Sequence, residues 1–466
     1  FCLEFLMTQL VWFRNDLRVS DHSALTEACQ APGADIKAIF LWTPKQWQQH
    51  DYGLARQYSI RSALVTVARD LAELGIPLTI LQADTWLSGV DQLIDFARQH
   101  SVRQLTFHRE FGWDEVQRDQ YAIEQARLAG ITTWVGEDRV GFDPASLLTG
   151  QGEMYRVFTP FKKRWLSQHA ETPLTAPLPV PSTRAPALSE LPDIPKVDWN
   201  GTAELPLNEH DAHEHLDQFA DAMPRYKDQR DLPATEGTSR LSAALASGAI
   251  SLRQCMHSAF SHPKFDSAGV QTWLSELIWR EFYHYLLYWR PDIARHKPFY
   301  PRWDAFPWLQ DETALHHWQQ GQTGVPIVDA GMRQLAQTGW MHNRVRMIVA
   351  MYLVKLLKID WRQGERWFAQ QLLDIDFASN NGGWQWCAST GVDAAPYFRI
   401  FNPHTQSQRF DPSGDYIRRW VPELASVPAK AIHEPTQQLA RHLGYARPLI
   451  DYKRARAETL EIFKKL

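Results

Sequence analysis

Two tryptophans and two asparagines stand close together in the segment NNGGWQWCASTG, residues 380–391. Indoles can act as flat surfaces for stacking and as redox-active groups, and side-chain amides can both donate and accept hydrogen bonds. The whole chain holds 20 tryptophans, which is more than a structural core needs. We therefore expect Trp384 and Trp386 to do more than fill space.

A second stretch, WLSELIWREFY, places several chemical groups on one face of a predicted helix. Trp273, Glu276 and Arg280 follow one another at helical spacing, and Trp279 flanks the carboxylate. The pattern fits a binding surface that mixes aromatic rings with charges. It fits equally a surface Glu–Arg pair above packed aromatics.

The segment GWMHNRVRM carries more such groups in helical register, and the segment DIDFASNN adds two carboxylates and an amide. These groups are Trp340, Asn343, Arg346, Met347, Asp374, Asp376 and Asn380. The two carboxylates could ligate a metal, hold ribose hydroxyls or a flavin ring, or pair with Arg346. No supporting run of ligands favours a metal.

Hydroxyl groups mark a predicted helix start in EGTSRLSAALASG, at Thr238, Ser239 and Ser242. A helix N-terminus with hydroxyls can bind an anion, although ordinary N-capping explains the same residues. Three indoles in separate segments, Trp308, Trp361 and Trp384, fit either a core or a chain of electron-hopping sites. Basic residues recur at several points, where they fit either solvated faces or an anion-binding surface.

Composition narrows the class of protein. A chain of 466 residues, 44% apolar and 22% charged, predicts two or three globular domains. The net charge of −4 argues against a general nucleic-acid binder but allows a local basic patch. Four dispersed cysteines form no disulfide or iron–sulfur pattern, which fits a reducing cytoplasm. The opening FCLEFL predicts a leader or vector remnant, and the apolar run MIVAMYLV is too short to cross a bilayer.

The order of predicted elements suggests how these groups are positioned. Strands and helices alternate over residues 8–138, which predicts a Rossmann-like parallel α/β sheet that lacks glycine-rich phosphate loops. Residues 172–207 are rich in proline and predict an extended linker. The pattern is helical from residue 208 onward. We therefore expect an α/β domain at 7–138, a linker at 139–207 and an all-α domain at 208–466.

Together these segments resemble the photolyase/cryptochrome family, and within it the bacterial class I cyclobutane pyrimidine dimer photolyases. The resemblance is carried by LVWFRNDLR, EMYRVFTPFKKRW, EGTSRLS, WLSELIWREFY, GWMHNRVRM, IDWRQGE and DFASNNGGWQWCASTGVDAAPYFRIFNP. It implies an N-terminal domain for an antenna chromophore and a helical domain that holds FAD. The implied activity is light-driven repair of UV-damaged DNA by electron transfer from reduced FAD.

The resemblance also implies roles for individual residues. The FAD contacts would be Tyr226, Thr238, Ser239, Arg240, Leu241, Ser242, Trp273, Glu276, Arg280, Trp340, Asn343, Arg346, Asp374, Asp376 and Asn380. Arg346 would pair with Asp374, and Asn380 would face flavin N5. Trp384, Trp361 and Trp308 would form the photoreduction chain, with Trp384 nearest the flavin. Gly382 and Gly383 would let both indoles approach the flavin ring.

The implied dimer pocket uses Glu276, Trp279, Asn343, Met347 and Trp386. Its two indoles would form walls for a flipped-out pair of pyrimidines, and its polar groups would read the base edges. Phosphates flanking the lesion would be held by Lys162, Arg230, Arg344 and Arg399. Asn380 and the MHNR segment favour dimer repair over a blue-light receptor or a photolyase for (6-4) products.

The implied antenna is methenyltetrahydrofolate, with a deazaflavin or an empty site as alternatives. Asp114 and Glu115 stand where folate-using members carry Asn-Glu, and Arg295 stands where a lysine is usual. We expect a monomer that binds UV-damaged DNA, no membrane association and no metal. Two further readings are a folate- or nucleotide-dependent α/β enzyme and a non-catalytic single-strand DNA binder. The missing phosphate loops weigh against the first, and the negative charge weighs against the second.

Overall fold

The computed structural model describes residues 8–31, 33–183 and 185–465. The predicted leader at residues 1–6 and the predicted start of the first domain at residue 7 lie outside this part of the chain.

The N-terminal part is built on one sheet. Its strands are β1 (Thr8–Phe13), β2 (Asp35–Trp42), β3 (Leu78–Gln82), β4 (Val102–His108) and β5 (Thr132–Gly136). All neighbouring strands are parallel, in the order β3–β2–β1–β4–β5. The apolar run TQLVWF becomes the central strand β1, buried along its whole length because helices cover both faces of such a sheet.

Helices alternate with these strands. They are α1 (Ser23–Gln30), α2 (Pro44–Gln49), α3 (Leu54–Glu73), α4 (Trp86–Gln99) and α5 (Trp113–Leu128). The predicted end of α3 at Gly75 is confirmed, since that glycine has a φ of 70°, in the left-handed region that closes helices. The predicted fold class is confirmed for this half.

The remainder of the chain is helical. Its helices are α6 (Phe158–Glu171), α7 (Glu209–Ala222), α8 (Tyr226–Gln229), α9 (Ser242–Ser247), α10 (Leu252–Phe260), α11 (Ala268–Trp289), α12 (Glu312–Gln319), α13 (Pro326–Thr338), α14 (Asn343–Met351), α15 (Trp361–Gln371), α16 (Phe377–Ala388), α17 (Pro403–Phe410), α18 (Asp415–Trp420), α19 (Ala429–Ile432), α20 (Gln437–His442) and α21 (Tyr452–Lys465). Short 3-10 turns occur between them.

Two local features differ from the sequence pattern. The predicted helix MHNRVRMIVAMYLVKLLKI is interrupted, since α14 is followed by a π-helical turn, Tyr352–Leu356. A π turn widens the helix by one residue, which a search at a period of 3.6 does not detect. The segment 139–207 contains α6, which packs on α11, whereas the described residues of 172–207 form neither helix nor strand.

One apolar cluster joins the two halves. It contains Val11 and Phe13 of β1 together with Ile278, Phe282 and Tyr285 of α11. A second cluster fills the interior of the C-terminal helices. Across the described ranges, no helix is both long and apolar enough to cross a membrane.

Candidate active site

A cavity of about 520 Å³ opens between α11, α14 and α16. Most of the residues predicted for the cofactor and the lesion line it. They are Arg230, Ser242, Glu276, Trp279, Arg280, Asn343, Arg344, Arg346, Met347, Asp374, Asp376, Asn380, Trp384 and Trp386. A mixed polar and aromatic cavity of this volume is typical of a cofactor site.

An ion pair forms one polar end of this cavity. Arg346 Nη2 lies 2.7 Å from Asp374 Oδ2, and Arg346 Nε donates to the carbonyl oxygen of Met341 at 2.7 Å. The pairing expected between Arg346 and Asp374 is therefore present. Asp374 is buried, and its Oδ1 has no hydrogen-bond partner among the described residues. A buried acceptor in this state suits a ligand that brings a donor.

Asp376 has a different set of partners. Its carboxylate accepts from Ser379 N at 2.9 Å, which caps α16, and lies 3.0 Å from His284 Nε2 and 3.7 Å from Arg280 Nη2. Burial opposes ionisation, but the favourable charges of His284, Arg280 and Arg139 hold the pKa of Asp376 well below its ordinary value. Sequence reasoning missed His284, although it follows Arg280 at helical spacing on α11.

The paired asparagines Asn380 and Asn381 have different hydrogen-bond partners. Asn380 lines the cavity, and its Nδ2 donates to the carbonyl oxygen of Glu365 at 3.1 Å. Asn381 is buried, where its Nδ2 donates to Glu365 Oε1 at 2.7 Å and its Oδ1 accepts from Gln385 Nε2 at 2.8 Å. One amide therefore serves the cavity, and its neighbour fixes α16 against α15.

The paired glycines also differ. A Cβ on Gly382 would lie 2.2 Å from the Tyr283 ring, whereas a Cβ on Gly383 would meet nothing within 4 Å. Gly382 lets α16 pack against α11, and Gly383 leaves part of the cavity open. A third glycine, Gly364, makes room for the indole of Trp384, because a Cβ on Gly364 would lie 2.1 Å from that ring.

Two indoles from different helices reach the cavity on the side of the predicted lesion pocket. Trp279 comes from α11 and Trp386 from α16. Glu276 lies beside them and accepts a hydrogen bond from Arg230 Nη1 at 2.5 Å. Arg344, at the same rim, pairs with Asp231 at 3.0 Å. Two basic groups of this rim are thus held by carboxylates of the same chain.

The three tryptophans of the predicted electron chain belong to one apolar cluster. Trp384 and Trp361 are buried in it, and Trp308 packs against its edge, half-buried. Trp308 is therefore the most exposed of the three. A further indole, Trp318, was not predicted to take part, yet its ring lies 6.1 Å from that of Trp384.

Other predicted cofactor residues do not line the cavity. Tyr226, Trp273 and Leu241 are buried in the first apolar cluster. Thr238 and Ser239 are half-buried, upstream of α9, which starts only at Ser242. The guanidinium of Arg240 lies 5.1 Å from the centre of the Trp340 ring. Of the predicted DNA contacts, Lys162 lies on α6 and Arg399 lies on the exposed segment between α16 and α17.

A second cavity, of about 410 Å³, collects the predicted antenna residues Asp114, Glu115 and Arg295. Asp114 Oδ2 lies 3.1 Å from His50 Nε2, a partner that sequence spacing could not indicate. The guanidinium of Arg295 lies 5.3 Å from the centre of the Trp113 ring. Burial, helped by the charge of Glu110, raises the pKa of Glu115 to about 7.

The position of the second cavity follows from the sheet. Asn15 and Glu110, which line it, follow β1 and β4, the two strands between which the strand order reverses. Parallel α/β sheets bind ligands at this point of the carboxyl edge. Ile375 and Asp376 line both cavities, so the two sites share a wall.

A buried cluster of Asp16, His22 and His108 has the ligand types of a metal site. His22 Nδ1 accepts from Leu25 N at 3.0 Å, and His108 Nε2 lies 3.3 Å from Ala24 N. A backbone N–H can only donate, so this nitrogen acts as an acceptor in each ring, and the other nitrogen of each ring faces Asp16. These contacts describe a hydrogen-bonded cluster.

Comparison with known proteins agrees with this geometry. Residues 9–182 match the DNA photolyase family, and residues 273–465 match the FAD binding domain of DNA photolyase. The chain is 43% identical to a deoxyribodipyrimidine photo-lyase of Escherichia coli strain K12, over 98% of this chain and 99% of that protein.

Solved structures show the same architecture. A bacterial class III photolyase from Agrobacterium tumefaciens superimposes with a TM-score of 0.87 at 34% identity, covering 98% of this chain and 97% of that one. A Synechocystis cryptochrome also gives 0.87, at 27% identity, covering 99% of this chain and all of that one, 100%. The chain described above belongs to the DNA photolyase family.

Proposed function

We propose that this protein uses light to reverse cyclobutane pyrimidine dimers in UV-damaged DNA, with FAD as its catalytic cofactor. The observation that carries the proposal is a single cavity lined both by the Arg346–Asp374 ion pair and by the indoles of Trp279 and Trp386. A cofactor and a lesion can therefore lie side by side. Family membership supports the same reaction.

The polar end of the cavity fits FAD. Asp374 keeps a buried, unpartnered carboxylate oxygen that can accept from a flavin or ribose donor. Ser242, the first residue of α9, and Arg280 both line the cavity, and a hydroxyl together with a guanidinium suits a pyrophosphate. The chemistry supplied when FAD is bound is the light-driven transfer of one electron to the dimer and its return after the ring opens.

Asn380 suits a reduced, negatively charged flavin. The side-chain nitrogen of Asn380 donates a hydrogen bond to the carbonyl oxygen of Glu365, which leaves the amide oxygen for a ligand. An amide oxygen can accept from a ring N–H without placing a full negative charge beside the ring. An aspartate at this position would repel an anionic cofactor.

The aromatic end suits a flipped dinucleotide. Trp279 and Trp386 offer flat apolar faces, on which the π faces of pyrimidines can stack. Glu276 and Asn343 would bind the polar edges of the bases, and Met347 would fill the remaining wall. Damaged base pairs cost less to unstack, so extrusion of the lesion contributes to selectivity.

Arginines at the rim would hold the DNA backbone. Arg230 is paired with Glu276, and Arg344 is paired with Asp231. Phosphates would compete for these guanidinium groups, and Lys162 and Arg399 would extend the contact outward. Such contacts position the strand without reading its sequence.

The tryptophan chain would supply reducing equivalents to the buried site. Trp308 is half-buried at the edge of the cluster, and Trp361 and Trp384 are buried within it. Each indole can lose and regain an electron in turn. The chain would keep the cofactor in its active reduced state, apart from the repair step itself.

For the second cavity, methenyltetrahydrofolate is our proposed occupant. Its lining offers carboxylates and an arginine to a polar heterocycle, and an antenna bound there would lie close to FAD because the two cavities share a wall. The division into domains at 7–138, 139–207 and 208–466, the monomeric state and the cytoplasmic location stay predictions.

One experiment tests the proposal directly. The purified protein would be loaded with FAD, reduced, and mixed with UV-treated oligo(dT), with and without near-UV light. We expect absorbance of the pyrimidine bases to return only under light. Loss of dimers in the dark would overturn the proposed mechanism, and a flavin-bound protein that leaves dimers intact under light would favour a photoreceptor.

A further inference from the structure

The aromatic ring of Phe158 covers the back of the Trp279 indole. The two rings are stacked, with centres 3.7 Å apart and planes inclined by 12°. Phe158 is 7% exposed, and the segment that carries it, EMYRVFTPFKKRW, has no role in the proposed function beyond Lys162. Because one face of Trp279 is occupied by Phe158, the opposite face is the one available to the cavity.

The backbone of Phe158 is held by a residue that lies far away in the sequence. Its backbone N–H, the first of α6, donates to Asp393 Oδ2 at 3.1 Å. Val157, which precedes the helix, has no side-chain acceptor with which to cap it. The first N–H groups of a helix have no partner within the helix, and a carboxylate there is favourable. Asp393 therefore acts as the cap of a helix more than 200 residues earlier in the chain, since the two residues are 235 positions apart.

The segment 389–395 also contacts the backbone of Trp386. Ala395 N donates to the carbonyl oxygen of Trp386 at 3.2 Å, and Ser389 Oγ donates to the carbonyl oxygen of Ala395 at 2.6 Å. Ser389 and Asp393 have φ values of 64° and 49°, so the segment folds back tightly on α16. One short segment thus contacts both sides of the aromatic end of the cavity.

We infer that Phe158 and Asp393 are positioning residues that fix the Trp279 wall relative to Trp386 and so determine selectivity for a flipped pyrimidine dimer over undamaged DNA. This inference rests on the proposed function. Stacking of a base requires a wall that stays parallel to it, and a tryptophan without its backing ring can turn away. Lys162 follows Phe158 by one helical turn, so the same cap also orients a predicted phosphate contact.

Substitution of Phe158 by leucine tests the stacking. In the FAD-loaded protein, F158L should weaken binding of a dimer-containing oligonucleotide about five- to tenfold, the effect of losing one stacking contact. Binding of undamaged DNA, FAD content and the repair rate at saturating DNA should change by less than about twofold, because none of these depends on Trp279 orientation alone. F158Y, which keeps the ring, should restore dimer binding.

Phe161 provides the matched control. It is buried on the same helix but packs on Phe282 and Tyr285, not on Trp279. F161L should lower the melting temperature without changing the preference for the dimer. If F161L and F158L reduce dimer affinity equally, the effect is general destabilisation and the inference is wrong.

Asp393 offers a test on an exposed side chain, where folding is not at risk. D393G removes the cap while allowing the positive φ, and D393N keeps an acceptor. We expect the ratio of affinities for dimer-containing and undamaged DNA to fall about threefold or more in D393G, because the helix cap is lost. D393N should retain the wild-type ratio. Unchanged preference in D393G and F158L would overturn the inference, whereas a wild-type protein without any dimer preference would overturn the proposed function instead.

Discussion

The side-chain nitrogen of Asn380 lies 3.1 Å from the carbonyl oxygen of Glu365. A carbonyl oxygen can only accept, so this contact sets which way the amide points and leaves its oxygen for the cavity. The buried neighbour Asn381 uses both of its amide atoms within the protein. Asn380 is therefore the asparagine of the pair that can interact with a cofactor.

Replacement of Asn380 by aspartate should destabilise the reduced, anionic flavin. A carboxylate close to a second negative charge costs about 1–3 kcal/mol in a partly buried site. We expect N380D to bind oxidised FAD normally and to show a lower midpoint potential in a spectroelectrochemical titration. N380S, which keeps a neutral acceptor, is the control, and an equal potential for N380D and wild type would contradict the assignment.

Replacement of Trp279 by alanine should remove one wall of the lesion pocket. Loss of a stacking surface costs about 1–3 kcal/mol per base, so dimer affinity should fall about tenfold or more while FAD remains bound. Binding to a dimer-containing oligonucleotide measures this. W199A is the control because Trp199 packs on Tyr58, outside the cavity lining. Unchanged dimer affinity in W279A would show that the pocket is elsewhere.

Replacement of Trp384 by phenylalanine should interrupt photoreduction of the flavin but not repair. We expect W384F, illuminated with a reductant, to accumulate reduced flavin at least about tenfold more slowly, since phenylalanine is far harder to oxidise than an indole. Chemically reduced W384F should still repair dimers. W318F is the control, because Trp318 is a neighbour of Trp384 that we do not place in the chain. Slow photoreduction in W318F but not in W384F would reverse the assignment.

Because of Glu281, the free energy of unfolding should depend on pH. It is buried, and its carboxylate accepts from Gly141 N at 2.9 Å and Phe142 N at 3.3 Å. Burial raises its pKa from 4.5 to about 7, despite these bonds. The folded protein then keeps a proton that the unfolded chain has released, so this contribution to stability falls as pH rises through that window.

The variant E281Q isolates this contribution. Relative to E281Q, the free energy of unfolding of the wild type should fall by about 1–3 kcal/mol between about pH 5 and about pH 8. Urea denaturation at each pH provides the measurement. If the free energy of unfolding of the wild type relative to E281Q stays constant or grows with pH, burial does not raise the pKa of Glu281 in the folded protein.

Replacement of Asp114 by asparagine should strengthen folate retention in the second cavity. The change introduces an amide donor beside Glu115 and removes a carboxylate 3.1 Å from His50. We expect D114N to copurify with about twofold or more methenyltetrahydrofolate, read from its absorption, in line with one gained hydrogen bond. D114A should gain none. Equal folate content in all three proteins would argue for another antenna or none.

Part of the site was predictable because residues at helical spacing share one face of a helix. This holds for any environment of that helix. The register of WLSELIWREFY brought Glu276 and Arg280 to one side of α11, and that side lines the cavity. The roles expected for Asn380 and Trp384 came instead from the family resemblance, and both residues line the cavity from α16. The alternation of apolar runs with helical patterns predicted the parallel sheet.

Other features depended on how distant segments meet. Spacing alone could not tell which of Asn380 and Asn381 faces the cavity, because that depends on where Glu365 of α15 lies. Nor could it indicate the stacking of Phe158 on Trp279, or the cap that Asp393 provides. Periodicity along a chain determines the face of each element, whereas the partner of each face is set by packing between elements far apart in sequence.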